Sequence, residues 1–312
     1  MYNEELKNKF IEECTNGKAE VQRASRLFSL AEPFENEWKR DICTIPATEL
    51  GDALETITSA RLGAQSVDMS ILRKYARWCM HIGVEGACDG LMISQDVGYE
   101  KLRATMVDSP DQLQRNLDMV FHPVSDCRPD NLCRGLYWLA YMGFDNSEVS
   151  KITTESVDLK NLVIRFGGKS YPIYEASVPV IRYLCSANSF ICDFVRCEAV
   201  VERDGGTLLL RGMRSGSGAN TDSIERLALR RISAFNKASS ESISIRYRGI
   251  RYSGIFYRML QDETNGVDID AAAGKYLKFY FSNSDSLHEK RIARKELELI
   301  TDYRRWKIAF NK

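Results

Sequence analysis

Residues 66–82 set the first constraint on what this chain can become. Met69, Leu72, Tyr75, Ala76 and Cys79 recur at three- and four-residue steps, while Arg73, Lys74 and Arg77 fall largely off that line. Such a stripe demands a helix with one face in a core and another carrying cations toward solvent. Three stretches upstream make the same demand. Leu6, Phe10 and Ile11 have helix spacing within 4–15, residues 18–31 form a second candidate, and Thr48-Glu49-Leu50 opens a third that runs to about Arg61. Four amphipathic helices in a row bury their stripes against one another, so the spacing predicts a small all-α domain.

The periodicity then stops. GVEGACDGLMISQDVGYEK (83–101) carries four glycines and no sustained repeat. We therefore expect a helical domain over 1–88, a linker over 89–105 and a larger domain over 106–312. Helix restarts at DSPDQL (108–113), with Ser109 as cap and Pro110 as first helical residue. After a break at His122–Pro129 an apolar helix ends at Tyr141.

Met142-Gly143-Phe144 is a turn, and Asp145 with Glu148 has the spacing of a capping box. A β unit follows, with Leu162–Phe166 as a strand, Gly167-Gly168-Lys169 as a tight turn and Ser170–Tyr174 as the return strand. Helix is expected again at 175–187. Residues 188–210 show no clear pattern beyond an edge strand at Leu208–Leu210, and RGMRSGSGANTD reads as a loop. A helix capped by Thr221 or Asp222 runs to about Ala238. A short loop in 242–260 enters an amphipathic helix. The last expected helix, 287–310, is charged, with apolar Ile292, Leu299, Tyr303, Trp306 and Phe310. The fold class is mostly α with a small β-sheet.

Composition excludes more than it assigns. The nine cysteines are odd in number and include no C-x-x-C, which suits free thiols in a reducing cytosol better than a disulfide framework or a zinc module. His81, His122 and His288 are far apart in sequence, so no metal is expected. No motif for a nucleotide or other cofactor is present, and none is expected. No apolar run has the length of a membrane span, and MYNEELKNKF has no signal-peptide character.

Charge is neutral over the chain but not locally. Between Gly206 and Leu260 ten basic residues face three acids. Arg211, Arg214, Arg246, Arg248 and Arg251 belong to this excess, and Tyr247 and Tyr252 are interleaved with it. Arginine forks suit phosphate, and tyrosine can donate to phosphate or pack on sugar. A solvated basic face with half-buried tyrosines explains the same composition. LYWLAYMGFDNSEVSKITTESV also has the form of two helices joined by a glycine turn, a weak signal for DNA binding by itself.

The order of these pieces resembles the tyrosine recombinase (phage integrase) family across nearly the whole chain. KRDICTIPATELGDALETI followed by SVDMSILRKYARWCMHIG is similar to that family's helical core-binding domain, and residues 106–312 resemble its catalytic α+β domain. The family's first catalytic arginine lies in T-G-x-R-x-x-E. Here the segment reads Met142-Gly143-Phe144-Asp145-Asn146-Ser147-Glu148, with Asp145 in the arginine's place. Lys169 matches the family's hairpin lysine. The H-x-L-R-H motif reads Arg248-Gly249-Ile250-Arg251-Tyr252, keeping the second arginine as Arg251 and losing both histidines. Ala273-Gly274-Lys275 stands where the family has L-G-H/W, and Tyr280, 29 residues after Arg251, is the nearest candidate nucleophile.

The resemblance implies an inactive scaffold that still binds specific double-stranded DNA, plausibly as a repressor in a phage or other mobile element, in the cytosol or nucleoid of a bacterial host. In that family two arginines neutralise the scissile phosphate, and histidines serve as acid and base. The DNA-binding set it implies is Arg73, Lys74, Arg77, Lys169, Arg211, Arg214, Arg246, Arg248, Arg251, Tyr252 and Lys275. Two other readings remain open: a diverged but active recombinase using Tyr280, and a scaffold protein without DNA binding. Homo-oligomerisation through 287–310 is a further implication.

Overall fold

The structure is a computed structural model. It describes residues 2–59, 62–92, 99–122, 124, 130–186, 189–194, 197–202, 208–210, 221–280 and 289–312. The chain forms two compact units, Met1–Arg103 with Thr301–Lys312, and Ala104–Ile300.

The first unit begins with four helices: α1 (Glu4–Cys14), α2 (Gly17–Trp38), α3 (Ala47–Ile57) and α4 (Leu62–His81). The apolar stripe of residues 66–82 lies inward, with Leu72, Tyr75, Ala76 and Cys79 fully buried. Tyr75 packs edge-on against Phe10 and Phe28, at ring-centroid distances of 5.1 and 4.8 Å. Helix α2 runs seven residues past the expected end, straight through Pro33. A proline inside a helix removes one backbone hydrogen bond and crowds the preceding turn. The helix is held on both sides of it, by buried Leu27, Phe28 and Ala31 before and by the Glu35–Lys7 pair after.

A buried charge network ties α1 to α2. Lys7 Nζ is 2.5 Å from Glu35 Oε2 and 4.0 Å from Asp41 Oδ2. Glu35 Oε1 accepts the Ile42 N–H at 2.9 Å, and Asp41 accepts from Tyr75 OH at 3.0 Å and Cys43 N at 3.0 Å. A second knot joins α2 to α4, where Asp68, fully buried, accepts from Arg23 Nε at 2.6 Å and from Ser59 N and Oγ at 2.8 and 2.7 Å. Residues 89–105, expected as linker, hold a 3₁₀ turn at Gly90–Met92 and helix α5 (Tyr99–Thr105). Leu91 is buried, and a Cβ at Gly90 would come within 2.1 Å of the Ile45 carbonyl oxygen.

The second unit is centred on α7 (Asp130–Tyr141), buried along its whole length. It follows α6 (Pro110–Val120), where Ser109 Oγ caps the Gln112 N–H as expected. After α7 come the short α8 (Asn146–Val149) and an antiparallel sheet of β1 (Val157–Asp158), β2 (Val163–Phe166) and β3 (Lys169–Pro172). Gly167 and Gly168 have φ of 56° and 70°, so the hairpin turn is these two glycines alone. Lys169 is therefore not in the turn, as expected from the sequence, but opens the return strand opposite Phe166.

Helix α9 (Val178–Ser186) and a separate hairpin of β4 (Ser189–Phe194) and β5 (Cys197–Glu202) follow. Where an edge strand is expected at 208–210, Leu208 forms an antiparallel bridge to Thr153 and the Leu209 N–H donates to the Ile152 carbonyl at 2.8 Å. Helices α10 (Thr221–Ala238), α11 (Tyr247–Thr264) and α12 (Ile269–Tyr280) complete this unit, and α13 (Glu289–Phe310) ends the chain. Helix α11 crosses α7 so closely that a Cβ at Gly254 would stand 1.6 Å from the Tyr141 carbonyl oxygen. Leu299, Tyr303 and Trp306 of α13 are buried within this single chain. Among the described residues no helix is long and apolar enough to cross a membrane.

Candidate functional site

The crossing of α7 and α11 places the α7–α8 turn, the β2–β3 hairpin and the end of α12 beside one another. Asp145, Lys169, Arg251 and Tyr280 all lie in this region of the second unit. Asp145 adopts extended backbone at the head of α8, and its Oδ1 accepts from Ser147 N at 2.8 Å, Ser147 Oγ at 2.7 Å and Glu148 N at 2.9 Å. Glu148 Oε2 accepts the Asp145 N–H in return at 3.0 Å, so the expected capping box is complete. Burial pushes the Asp145 carboxyl up, but these hydrogen bonds and the charge of Arg251 outweigh it and hold its pKa below the usual value.

Glu148 has a second role that the motif did not reveal. Its Oε1 accepts from Lys169 Nζ at 3.1 Å and from Tyr171 OH at 3.1 Å, and its residue is only 5% exposed. Lys169 Nζ also donates to the Lys278 carbonyl at 3.1 Å. Burial, then the negative charge of Glu148, pushes the Tyr171 phenol well up. One acid thus serves the cap, the hairpin lysine and a core tyrosine together. A Glu at the third helical position reads from the sequence as a cap partner, and nothing in its spacing reveals the sheet residues that meet its other oxygen.

Arg251 is buried and directed at backbone. Its Nε donates to the Gly143 carbonyl at 3.0 Å, and its Nη2 donates to the Phe279 carbonyl. Tyr252 is also buried, packed on Tyr280 at 4.7 Å between ring centroids. Tyr280 is the last residue of α12 and only 1% exposed. The side chains at the rim are different. Arg246, the N-cap residue of α11, and Arg248, on its first turn, are exposed. Lys275 is exposed and ion-paired to Asp262 at 2.5 Å.

Arg258, two turns beyond Arg251, belongs to the same basic excess between Gly206 and Leu260, and no motif singles it out. Its guanidinium lies 4.5 Å over the Phe279 ring, and its Nε and Nη2 are buried without a hydrogen-bond partner. Burial lowers its pKa. A Cβ on Gly143 would fall 2.7 Å from Nη2, so the turn before Asp145 is seated directly on this cation.

In the first unit, Arg73 Nε donates to the Leu91 carbonyl at 3.1 Å and Lys74 Nζ pairs with Glu20 at 3.2 Å, while Arg77 is exposed. Arg211 and Arg214 lie outside the described residues. No group of His, Cys, Asp and Glu among the described residues has the arrangement of a metal site.

Residues 1–81 match the family model described as MrpR, N-terminal core-binding domain. The first unit is thus similar to that domain over α1 to α4. No curated protein matches the sequence. Among solved structures, the chain is similar to the XerA recombinase at 14% identity, covering 93% of this chain and 98% of that one with a TM-score of 0.36. It is similar to the Tn1549 transposon integrase in complex with circular intermediate DNA at 13% identity, covering 90% and 95% with a TM-score of 0.39. For the lambda integrase bound to DNA the identity is 10%, the coverage 94% and 96%, and the TM-score 0.38.

Proposed function

We propose that this protein binds specific duplex DNA on a tyrosine recombinase scaffold that has given up catalysis, and that it regulates transcription, in the first instance as a repressor in a phage or other mobile element. The host cytosol or nucleoid is its place of action. The core-binding match of the first unit supports the DNA half of this reading.

The use of the Asp145 carboxylate supports the inactive half. It stands where the resemblance requires an arginine, and it is spent on the first turn of α8. A carboxylate about 5 Å from a phosphate, at an effective dielectric near 20, costs about 3 kcal/mol where an arginine would stabilise. The other matched groups are engaged with protein atoms, Lys169 with Glu148 and Arg251 with two carbonyls. The burial of Tyr280 argues against the active-recombinase reading.

Arg246 and Arg248 are the cations best placed for phosphate, being exposed at the head of α11. Selection of host DNA fragments on the full chain, followed by gel-shift titration over salt, should give a site-specific complex whose affinity falls steeply with ionic strength. A nicked suicide duplex should give no covalent adduct. An adduct that Tyr280→Phe abolishes would refute the loss of catalysis. Unchanged affinity after Arg246→Ala with Arg248→Ala would refute this DNA-binding surface.

A further inference from the structure

Between the end of α10 and the segment entering α11 lies a cavity of about 250 Å³. Its apolar floor is Ile232 and Ile243, both buried, and its rim carries Ser233, Lys237 and Arg246, all exposed. The wall is fixed by Asn236, whose Nδ2 donates to the Ile243 carbonyl at 2.8 Å and whose Oδ1 accepts the Ile243 N–H at 2.9 Å. These two bonds pin the 239–245 segment to α10, so the space is built by hydrogen bonding and does not depend on a mobile side chain. Lys237 and Arg246 are in no ion pair among the described residues.

We infer that this cavity is a binding site for a small carboxylate with a compact branched apolar body. Floor and rim each select one half of such a molecule. Two aliphatic side chains take the hydrocarbon, and the two unpaired cations among the lining residues take the carboxylate, with the arginine as the bidentate partner. At about 30 Å³ for a water-sized group, the volume holds about eight heavy atoms. An occupant would neutralise Arg246 and so compete with phosphate. Only that consequence rests on the DNA-binding reading.

Isocaproate is the probe, and isocaproamide is its uncharged isostere. Titration of each into the isoleucine-methyl-labelled full chain, with no DNA present, should move the Ile232 and Ile243 methyl signals saturably with isocaproate. Isocaproamide, and isocaproate on Lys237→Gln, should bind at least about tenfold more weakly. Ser233→Tyr, which fills the rim from an exposed position, should abolish the response while leaving the other methyl signals in place. Absence of a saturable shift, equal binding of the amide, or an undiminished response in Ser233→Tyr overturns the site. Failure of the protein to bind DNA leaves these readouts untouched. If DNA is bound, saturating isocaproate should weaken it, and an unchanged affinity overturns the competition.

Discussion

Lys7→Met tests how the first unit is held together. Lys7 and Glu35 are both fully buried, with nitrogen and oxygen 2.5 Å apart, so neither partner can turn to water when the other is removed. Truncating one member of a buried pair costs about 3–5 kcal/mol, and methionine refills most of the lost volume, which places the expected loss near 3 kcal/mol. The loss should depend on pH in a definite direction. Burial already raises the Glu35 pKa above its ordinary value against the opposing pull of Lys7. A raised folded-state pKa gives stability that is present below the unfolded pKa and lost as pH rises through the folded one. Without Lys7 the Glu35 pKa moves further up, so the penalty should be full at about pH 7.5 and smaller at about pH 5. Native-state hydrogen exchange of the buried α4 amides reads this unit separately from the other. Lys7→Met with Glu35→Gln removes the orphaned charge and keeps an acceptor for Ile42 N–H. That pair should recover at least half of the loss. A single-variant cost below about 1 kcal/mol, or a cost equal at both pH values, would refute the assignment of the network as an energetic joint.

Asp145→Ala should cost about 1–2 kcal/mol through loss of the cap, seen as lost amide protection over 146–149. Because the Asp145 pKa is lowered, its contribution should be present above about pH 4 and vanish as pH falls through the folded value, giving wild type and variant equal stability in acid. Gly143→Ala should destabilise the second unit by about 2 kcal/mol or more, since φ is 103° and the new Cβ meets Arg258; thermal melting of Gly143→Ala against Gly266→Ala, which has φ of 83° and open space, separates crowding from backbone strain. Arg248→Ala should weaken DNA binding alike across sequences and reduce the salt slope by about one, measured by gel shift at several ionic strengths.

Local chemistry carried the sequence reading wherever a residue's job is done by its near neighbours. The stripe of α4, the Ser109 cap and the Asp145–Glu148 box all involve partners within one or two turns, and all are found. The helix expected over 18–31 extends to Trp38, through Pro33, because the buried partners of Glu35 lie outside the helix, at Lys7 and Ile42. Lys169 was placed one residue too early because glycines fix a turn's location but not which strand residue follows it. Two elements had no signal to offer. Gly274 interrupts the helical pattern of α12, and the sequence between Phe194 and Cys197 holds no Asn-Gly or Asp-Gly pair to announce a hairpin between β4 and β5.

The site itself was legible as a set of positions and illegible as a set of bonds. Sequence alone brings Asp145, Lys169 and Arg251 into one region through the resemblance and reads Asp145 as a helix cap, but it treats Lys169 and Arg251 as groups waiting for phosphate. The structure gives every one of them a protein partner, and Glu148 stands between two of them. That wiring makes the substitution at Asp145 self-consistent. An arginine at this position could not accept the Ser147 and Glu148 N–H groups, so α8 would lose its cap. It would also add a cation to the side of the turn already facing Arg251 and Arg258, of which the second has two unpartnered nitrogens. Restoring Asp145→Arg alone should therefore weaken the fold without restoring cleavage, because the same change that adds charge for phosphate removes the acceptor on which the neighbouring helix begins.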